Sequence, residues 1–108
     1  MIQITIYRKP EDSFRGFQVI GHADSVTEGA DLVCCAVSVL TLNTVNSLET
    51  FTEDEFDLTE QEDLGLIQVT FLQEPGSEAV LLMKAFELGV LTIQEQYGDW
   101  LKVIIREV

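Results

Sequence analysis

A long apolar stretch in the first half of the chain constrains its fold more than any other feature. Residues 32–51 carry apolar side chains at helical spacing, and Asp31 stands before them as a residue type that caps helix N-termini. The segments on either side instead alternate apolar with polar residues, as Ile2, Ile4 and Ile6 do near the N-terminus, which is the period of half-buried strands. The pattern therefore predicts a helix that lies between strands and packs its apolar side against a sheet.

Seven regular segments follow one another along the chain. The predicted strands cover residues 2–8, 14–20, 55–60, 66–72 and 100–107, and the predicted helices cover residues 32–51 and 77–97. The order ββαββαβ predicts an α+β fold, in which one mixed sheet carries two helices packed on one face as a two-layer α/β sandwich. With 108 residues, the chain has the size of a single domain, residues 1–108.

The second predicted helix is apolar on nearly all of its sides. Its segment includes Val80 to Met83, Phe86, Leu88 and Ile93. A helix of this kind is usually buried on more than one side, and two helices on one face of one sheet leave an outer surface uncovered. We therefore expect a homodimer that covers this surface.

The charge of the chain restricts its partners. Six basic and nineteen acidic residues give a net charge of −13, which disfavours nucleic acid and anionic membranes and favours a basic protein partner. The N-terminal residues lack the pattern of a signal peptide, and the two cysteines are adjacent, which prevents an ordinary disulfide between them. We expect a protein of the reducing cytoplasm, with no cofactor and no metal site.

The candidate catalytic residues lie between the end of the second predicted strand and the start of the first predicted helix. His22 is the only histidine, and Cys34 and Cys35 are the only cysteines. A thiolate is a nucleophile and an imidazole can take its proton, so His22 and Cys34 are candidate catalytic residues. With Asp31 as N-cap, Cys34 is predicted over the first helical turn, where the helix dipole favours an anion, while Cys35 is predicted to point into the core. The alternative is that both cysteines only pack in the core.

Four further residues are candidates for supporting roles. Ser38 lies four residues after Cys34 and so shares its helix face, and Asp31 either orients His22 or only caps the helix. Gly21 and Gly29 flank a loop, residues 23–30, that could act as a lid with these glycines as hinges. An ordinary surface connection is the alternative for this loop.

At these residues the chain resembles the ribosomal-processing cysteine protease family, Prp. The matching positions begin with Gly21 and His22 and continue through Gly29, the segment 31–34 and Ser38. The resemblance implies an α/β-sandwich dimer that removes the N-terminal extension of a large-subunit ribosomal protein. It further implies Cys34 as nucleophile, His22 as general base, Asp31 and Ser38 as supporting residues, and a mobile loop over the site.

Two other functions stay open from the sequence. The chain could be a non-catalytic module that binds a basic ribosomal protein, with both cysteines in its core. It could also be a redox sensor that uses Cys34 and Cys35.

Overall fold

A computed structural model describes residues 1–22 and 28–108 and contains the predicted elements in the predicted order. They are β1 (Ile2–Lys9), β2 (Ser13–Ile20), α1 (Glu28–Phe51), β3 (Phe56–Gln61), a short 3-10 turn (Glu62–Leu64), β4 (Leu66–Phe71), α2 (Ser77–Tyr97) and β5 (Leu101–Glu107). The predicted α+β architecture is thereby confirmed.

The five strands form one mixed sheet in the order β3-β4-β2-β1-β5. β5 runs parallel to β1, whereas every other neighbouring pair is antiparallel. In the β1–β2 pair, Ile4 lies opposite Val19 and Ile6 lies opposite Phe17. Because side chains alternate between the two faces of a strand, this register puts the apolar sets of both strands on one face.

The core lies between that face of the sheet and the two helices. Phe17 of β2 and Phe86 of α2 are almost fully buried, and their ring centroids are 4.4 Å apart. Where α1 and α2 meet, a Cβ at Gly89 would lie 2.6 Å from Cδ2 of Leu40, so the absence of a side chain there lets the helices approach closely. The largest buried side chains of the core are Phe14, Phe17, Phe86, Ile4, Ile6, Leu48, Met83 and Leu101.

The first helix begins earlier than its sequence predicts. α1 starts at Glu28, so the prediction of Asp31 as N-cap is wrong, and Asp31 instead lies within the helix. The reason is tertiary: Ala30 is fully buried, and Gly29 packs so closely on the Trp100 ring that a Cβ there would lie 2.7 Å from Cη2. These contacts hold an additional turn in helical form, although the capping residue type stands later in the sequence.

By length and composition alone, the part Gly29–Phe51 of α1 could cross a membrane. In this fold it is the core helix, because Val33, Val37, Val45 and Leu48 are buried in the core.

Candidate active site

A cleft of about 520 Å³ opens beside the N-terminal half of α1. One wall is formed by Cys34, Ser38 and Thr41 of α1, and the opposite wall by the end of the β3–β4 hairpin. Gly21 and His22, which follow β2, also line the cleft. The structure thus brings together four of the residues that the sequence singles out, namely Gly21, His22, Cys34 and Ser38.

Cys34 is a half-buried side chain in the second turn of α1. It lies six residues after Glu28, which is about 9 Å along the helix axis. The unpaired N–H groups of a helix belong to its first four residues, so the predicted position of Cys34 over the first turn is wrong. The dipole acts at the end of the helix, so it does not single out Cys34 as the position of an anion.

The neighbouring thiol of Cys35 is exposed to solvent. The prediction that Cys35 points into the core is therefore wrong: α1 buries the side of Val33 and Val37, and Cys35, two residues from each, lies about 200° around the helix axis from them. Cys34 contacts the core cluster and lines the cleft, whereas Cys35 is not among the cleft residues. Of the two thiols, only that of Cys34 is positioned to meet a molecule bound in the cleft.

His22 is exposed and lies against the turn that joins β3 to β4. Its Nε2 is 3.3 Å from the main-chain oxygen of Asp63. The preceding Gly21 adopts φ +99, and its N–H donates a hydrogen bond of 3.0 Å to the oxygen of Leu64. A Cβ at Gly21 would lie 2.5 Å from the main-chain oxygen of Met1, so both its φ and the space around it require glycine.

Two of the predicted supporting residues lie outside the cleft lining. Asp31 is an exposed residue of α1 and does not line the cleft. Gly29 belongs to α1, so its predicted place in a loop is wrong, and its close contact is with Trp100. The remainder of the predicted lid, residues 23–27, lies outside the described residues. The hinge role of Gly21 stays a prediction.

The structure adds cleft residues that the sequence analysis missed. Thr41 lies seven residues after Cys34, on the same face of α1, and helical periodicity alone could have identified it. Glu60 and Glu62 give the opposite wall two exposed carboxylates, and Gly65 lies between them and β4. No local signal relates this turn to His22, because the two segments are some 40 residues apart in sequence.

Known proteins are similar to this sequence over nearly its whole length. The family model described as cysteine protease Prp matches residues 1–102. The ribosomal processing cysteine protease Prp of Bacillus subtilis is 32% identical over 107 residues, which cover 95% of this chain and 96% of that protein. The protein of the same name from Staphylococcus aureus is 25% identical over 99 residues, which cover 92% of this chain and 93% of that protein.

Solved structures share the fold. SMU.848 from Streptococcus mutans superposes with a TM-score of 0.88 at 28% identity, covering 100% of this chain and 99% of that one. Prp from S. aureus in complex with a substrate peptide superposes with a TM-score of 0.90 at 23% identity, covering 98% of this chain and 100% of that one.

The family-model match and the 32% identical B. subtilis protease assign the chain to the cysteine proteases, and its cleft holds a free thiol together with the only histidine of the sequence. Within that class, the chain belongs to the Prp family.

Proposed function

We propose that this protease removes the N-terminal extension of a large-subunit ribosomal protein, with Cys34 as nucleophile and His22 as general base. The observation that carries the proposal is the shared cleft of these two side chains, in a chain that has a single histidine. The names of the B. subtilis and S. aureus relatives, which are ribosomal processing proteases, support the choice of substrate.

The proposed reaction is acyl transfer through a thioester. His22 takes the proton of the Cys34 thiol, and the thiolate attacks the carbonyl carbon of the scissile peptide bond. When the tetrahedral intermediate collapses, the C–N bond breaks, and the imidazolium gives its proton to the departing amine. Water, deprotonated by His22, then attacks the thioester, which releases the new carboxylate and regenerates the thiol.

The charge of the cleft supports a basic substrate. Glu60 and Glu62 are exposed carboxylates on the wall that faces α1, and the net charge of the whole chain is −13. Such a surface attracts positively charged segments of a ribosomal protein and repels phosphate backbones and anionic lipid. We accordingly propose a protein substrate met in the cytoplasm, rather than a nucleic acid or a membrane.

To test this function, the purified protein is incubated with the extended ribosomal protein of its own organism. The new N-terminus is then read by mass spectrometry. We expect one cleavage that removes the extension, and its loss in Cys34→Ala and in His22→Ala. Cys35→Ala is the matched control, because this thiol is the next residue of the same helix but is exposed outside the cleft. An uncut precursor refutes the substrate, and equal loss in both cysteine variants refutes the assignment of Cys34.

We also propose that the protein acts as a homodimer, joined through the outer side of its helical layer. α2 buries one side, with Met83 and Phe86, but exposes Leu81 and Leu88, which are 67% and 69% accessible. α1 adds Val39, which is 63% accessible. Burying such side chains against a second copy removes apolar area from water, and this favours association.

Sedimentation of the purified protein tests the dimer. Leu88→Glu is expected to give a monomer, because a carboxylate at this position would be desolvated in the interface. Leu72→Glu makes the same change at an exposed leucine that follows β4 and is expected to leave the dimer intact. A monomeric wild-type protein at micromolar concentration would refute the proposed association.

A further inference from the structure

We propose that the main chain of the β3–β4 turn is the third component of the catalytic site, where it fixes the orientation and the tautomer of His22. This inference rests on the proposed role of His22 as general base. It assigns the carbonyl of Asp63 as the acceptor of the ring proton, and Gly65 as the position whose missing side chain leaves room for the ring.

The contact between the ring and Asp63 determines which nitrogen carries the proton. Nε2 of His22 lies 3.3 Å from the main-chain oxygen of Asp63, and a carbonyl oxygen can only accept a hydrogen bond. Nε2 must therefore be the protonated nitrogen of the neutral ring. Nδ1 then carries the free electron pair, so it is the atom that takes the proton of the Cys34 thiol.

The turn holds the segment of His22 as well as its ring. The N–H of Gly21 donates a hydrogen bond of 3.0 Å to the oxygen of Leu64, the residue next to Asp63. Two successive carbonyls of the turn therefore bind two successive residues, Gly21 through its main chain and His22 through its ring. The same turn thus holds the main chain next to His22 and the imidazole ring itself. A shift of the turn would therefore change the orientation of the ring.

Gly65 has no side chain, and this leaves the space that the His22 ring occupies. It adopts φ +60, and its N–H donates to the oxygen of Glu62, which ends the 3-10 turn. A Cβ at this position would lie 2.9 Å from Cε1 of His22 and would also collide with the main-chain oxygen of Gly21. Any larger residue must therefore displace His22 or the turn, even one that tolerates a positive φ.

A main-chain carbonyl acts on the imidazole differently from a carboxylate. It fixes the ring by accepting its N–H, but it adds no full negative charge beside a site whose nucleophile must itself become an anion. The nearby carboxylates of Glu60 and Glu62 are exposed on the cleft wall, where solvent and salt screen them. The turn thus positions the base without opposing the ionisation of Cys34 by a buried charge.

The first experiment reads the tautomer directly and needs no substrate. The chain has one histidine, so long-range 1H–15N NMR of the protein without a histidine tag reports His22 alone. In a Cys34→Ala background, which removes the thiol as a proton source, we expect a neutral ring protonated at Nε2. A ring protonated mainly at Nδ1 would overturn the proposal. This measurement needs no Gly65 variant, so its outcome counts even if those variants fail to fold.

The second experiment separates displacement of the ring from backbone strain. Gly65→Ala adds both a Cβ and a strained φ, whereas Gly65→Asn adds the Cβ but accepts the left-handed conformation more readily. We expect both variants to shift the 15N resonances of His22 and to lower kcat about tenfold or more, with little change in KM. Gly76→Ala is the control, because a Cβ there would have ordinary contact, 3.6 Å from Oδ2 of Asp54.

The experiments also show whether the role of the turn or the assignment of the substrate is wrong. Turnover is measured on any peptide that the wild-type protein cleaves from a proteome-derived peptide library, at a temperature at which circular dichroism shows each variant folded. Wild-type turnover in Gly65→Asn, or unchanged ring resonances in both Gly65 variants, would overturn the role of the turn. An uncut ribosomal precursor would instead refute only the substrate.

Discussion

Replacing Thr41 by valine should stabilise the protein, although it removes a polar group from the wall of the cleft. Thr41 is 1% exposed, and its Oγ1 is buried without a hydrogen-bond partner among the described residues. An unsatisfied buried hydroxyl costs about 1–3 kcal/mol, and a methyl group of the same shape removes that cost. Both residues are β-branched, so the change alters helix propensity little. We expect the free energy of unfolding to rise by about 1–3 kcal/mol.

Thr44 provides the matched control on the same helix. It is 5% exposed, but its Oγ1 donates a hydrogen bond of 2.8 Å to the oxygen of Leu40. Thr44→Val loses this bond, so the free energy of unfolding should fall by about 0.5–1.5 kcal/mol. The two valine substitutions, one turn apart, are therefore expected to change stability in opposite directions.

Urea unfolding followed by far-ultraviolet circular dichroism measures both changes, with all variants at one protein concentration because a dimer is stabilised by mass action. We expect a higher midpoint for Thr41→Val, a lower midpoint for Thr44→Val, and equal slopes. For a domain of this size, about 1 kcal/mol corresponds to a shift of roughly 4 °C or more in Tm. A Thr41→Val midpoint that falls as far as that of Thr44→Val would contradict this prediction, because it would mean that the Thr41 hydroxyl has a hydrogen-bond partner.

Two further predictions concern the core and the ion pairs of the β1–β2 hairpin. Phe17→Ala should lower the free energy of unfolding by about 3–5 kcal/mol in the same urea assay, because it leaves a cavity against Phe86; a loss below about 1 kcal/mol would contradict the packing. Asp12 accepts hydrogen bonds from Lys84 and Arg8, which hold the pKa of its carboxyl below its usual value. A lowered folded-state pKa contributes stability above the unfolded-state pKa of about 3.9, and this contribution is lost as the pH falls through the folded-state pKa. Asp12→Asn should therefore be less stable than the wild type at pH 7 and approach it in acid, and a difference independent of pH would contradict the assignment.

Much of the fold could be predicted from periodicity. The alternation of Ile2, Ile4 and Ile6 indicates β1, and all three side chains are buried in the structure. The helical spacing of residues 77–97 matches the observed bounds of α2. These patterns are reliable because each reports which sides of an element face the core, and that information is local to the element.

The start of α1 shows where local signals fail. Asp31 is a good capping residue type, yet the helix continues upstream to Glu28. A capping residue contributes about 1 kcal/mol, and packing of the preceding turn against distant residues can exceed that. Because the contact that extends the helix is made by Trp100, from the other end of the chain, no window of sequence around Asp31 contains it.

In the candidate site, too, the residue types could be read from the sequence, but their positions could not. A chain with a single imidazole and two adjacent thiols offers few candidates for a nucleophile and a base, and the sequence pattern already favoured Cys34 of the two thiols. The sequence placed Cys34 over the first helical turn and Cys35 in the core, whereas in the fold Cys34 lines the cleft and Cys35 is exposed. It gave no sign that the turn at Asp63 lies against His22. Residue types carry reactivity, whereas their orientation comes from contacts between segments that are distant in sequence and meet only when the sheet assembles.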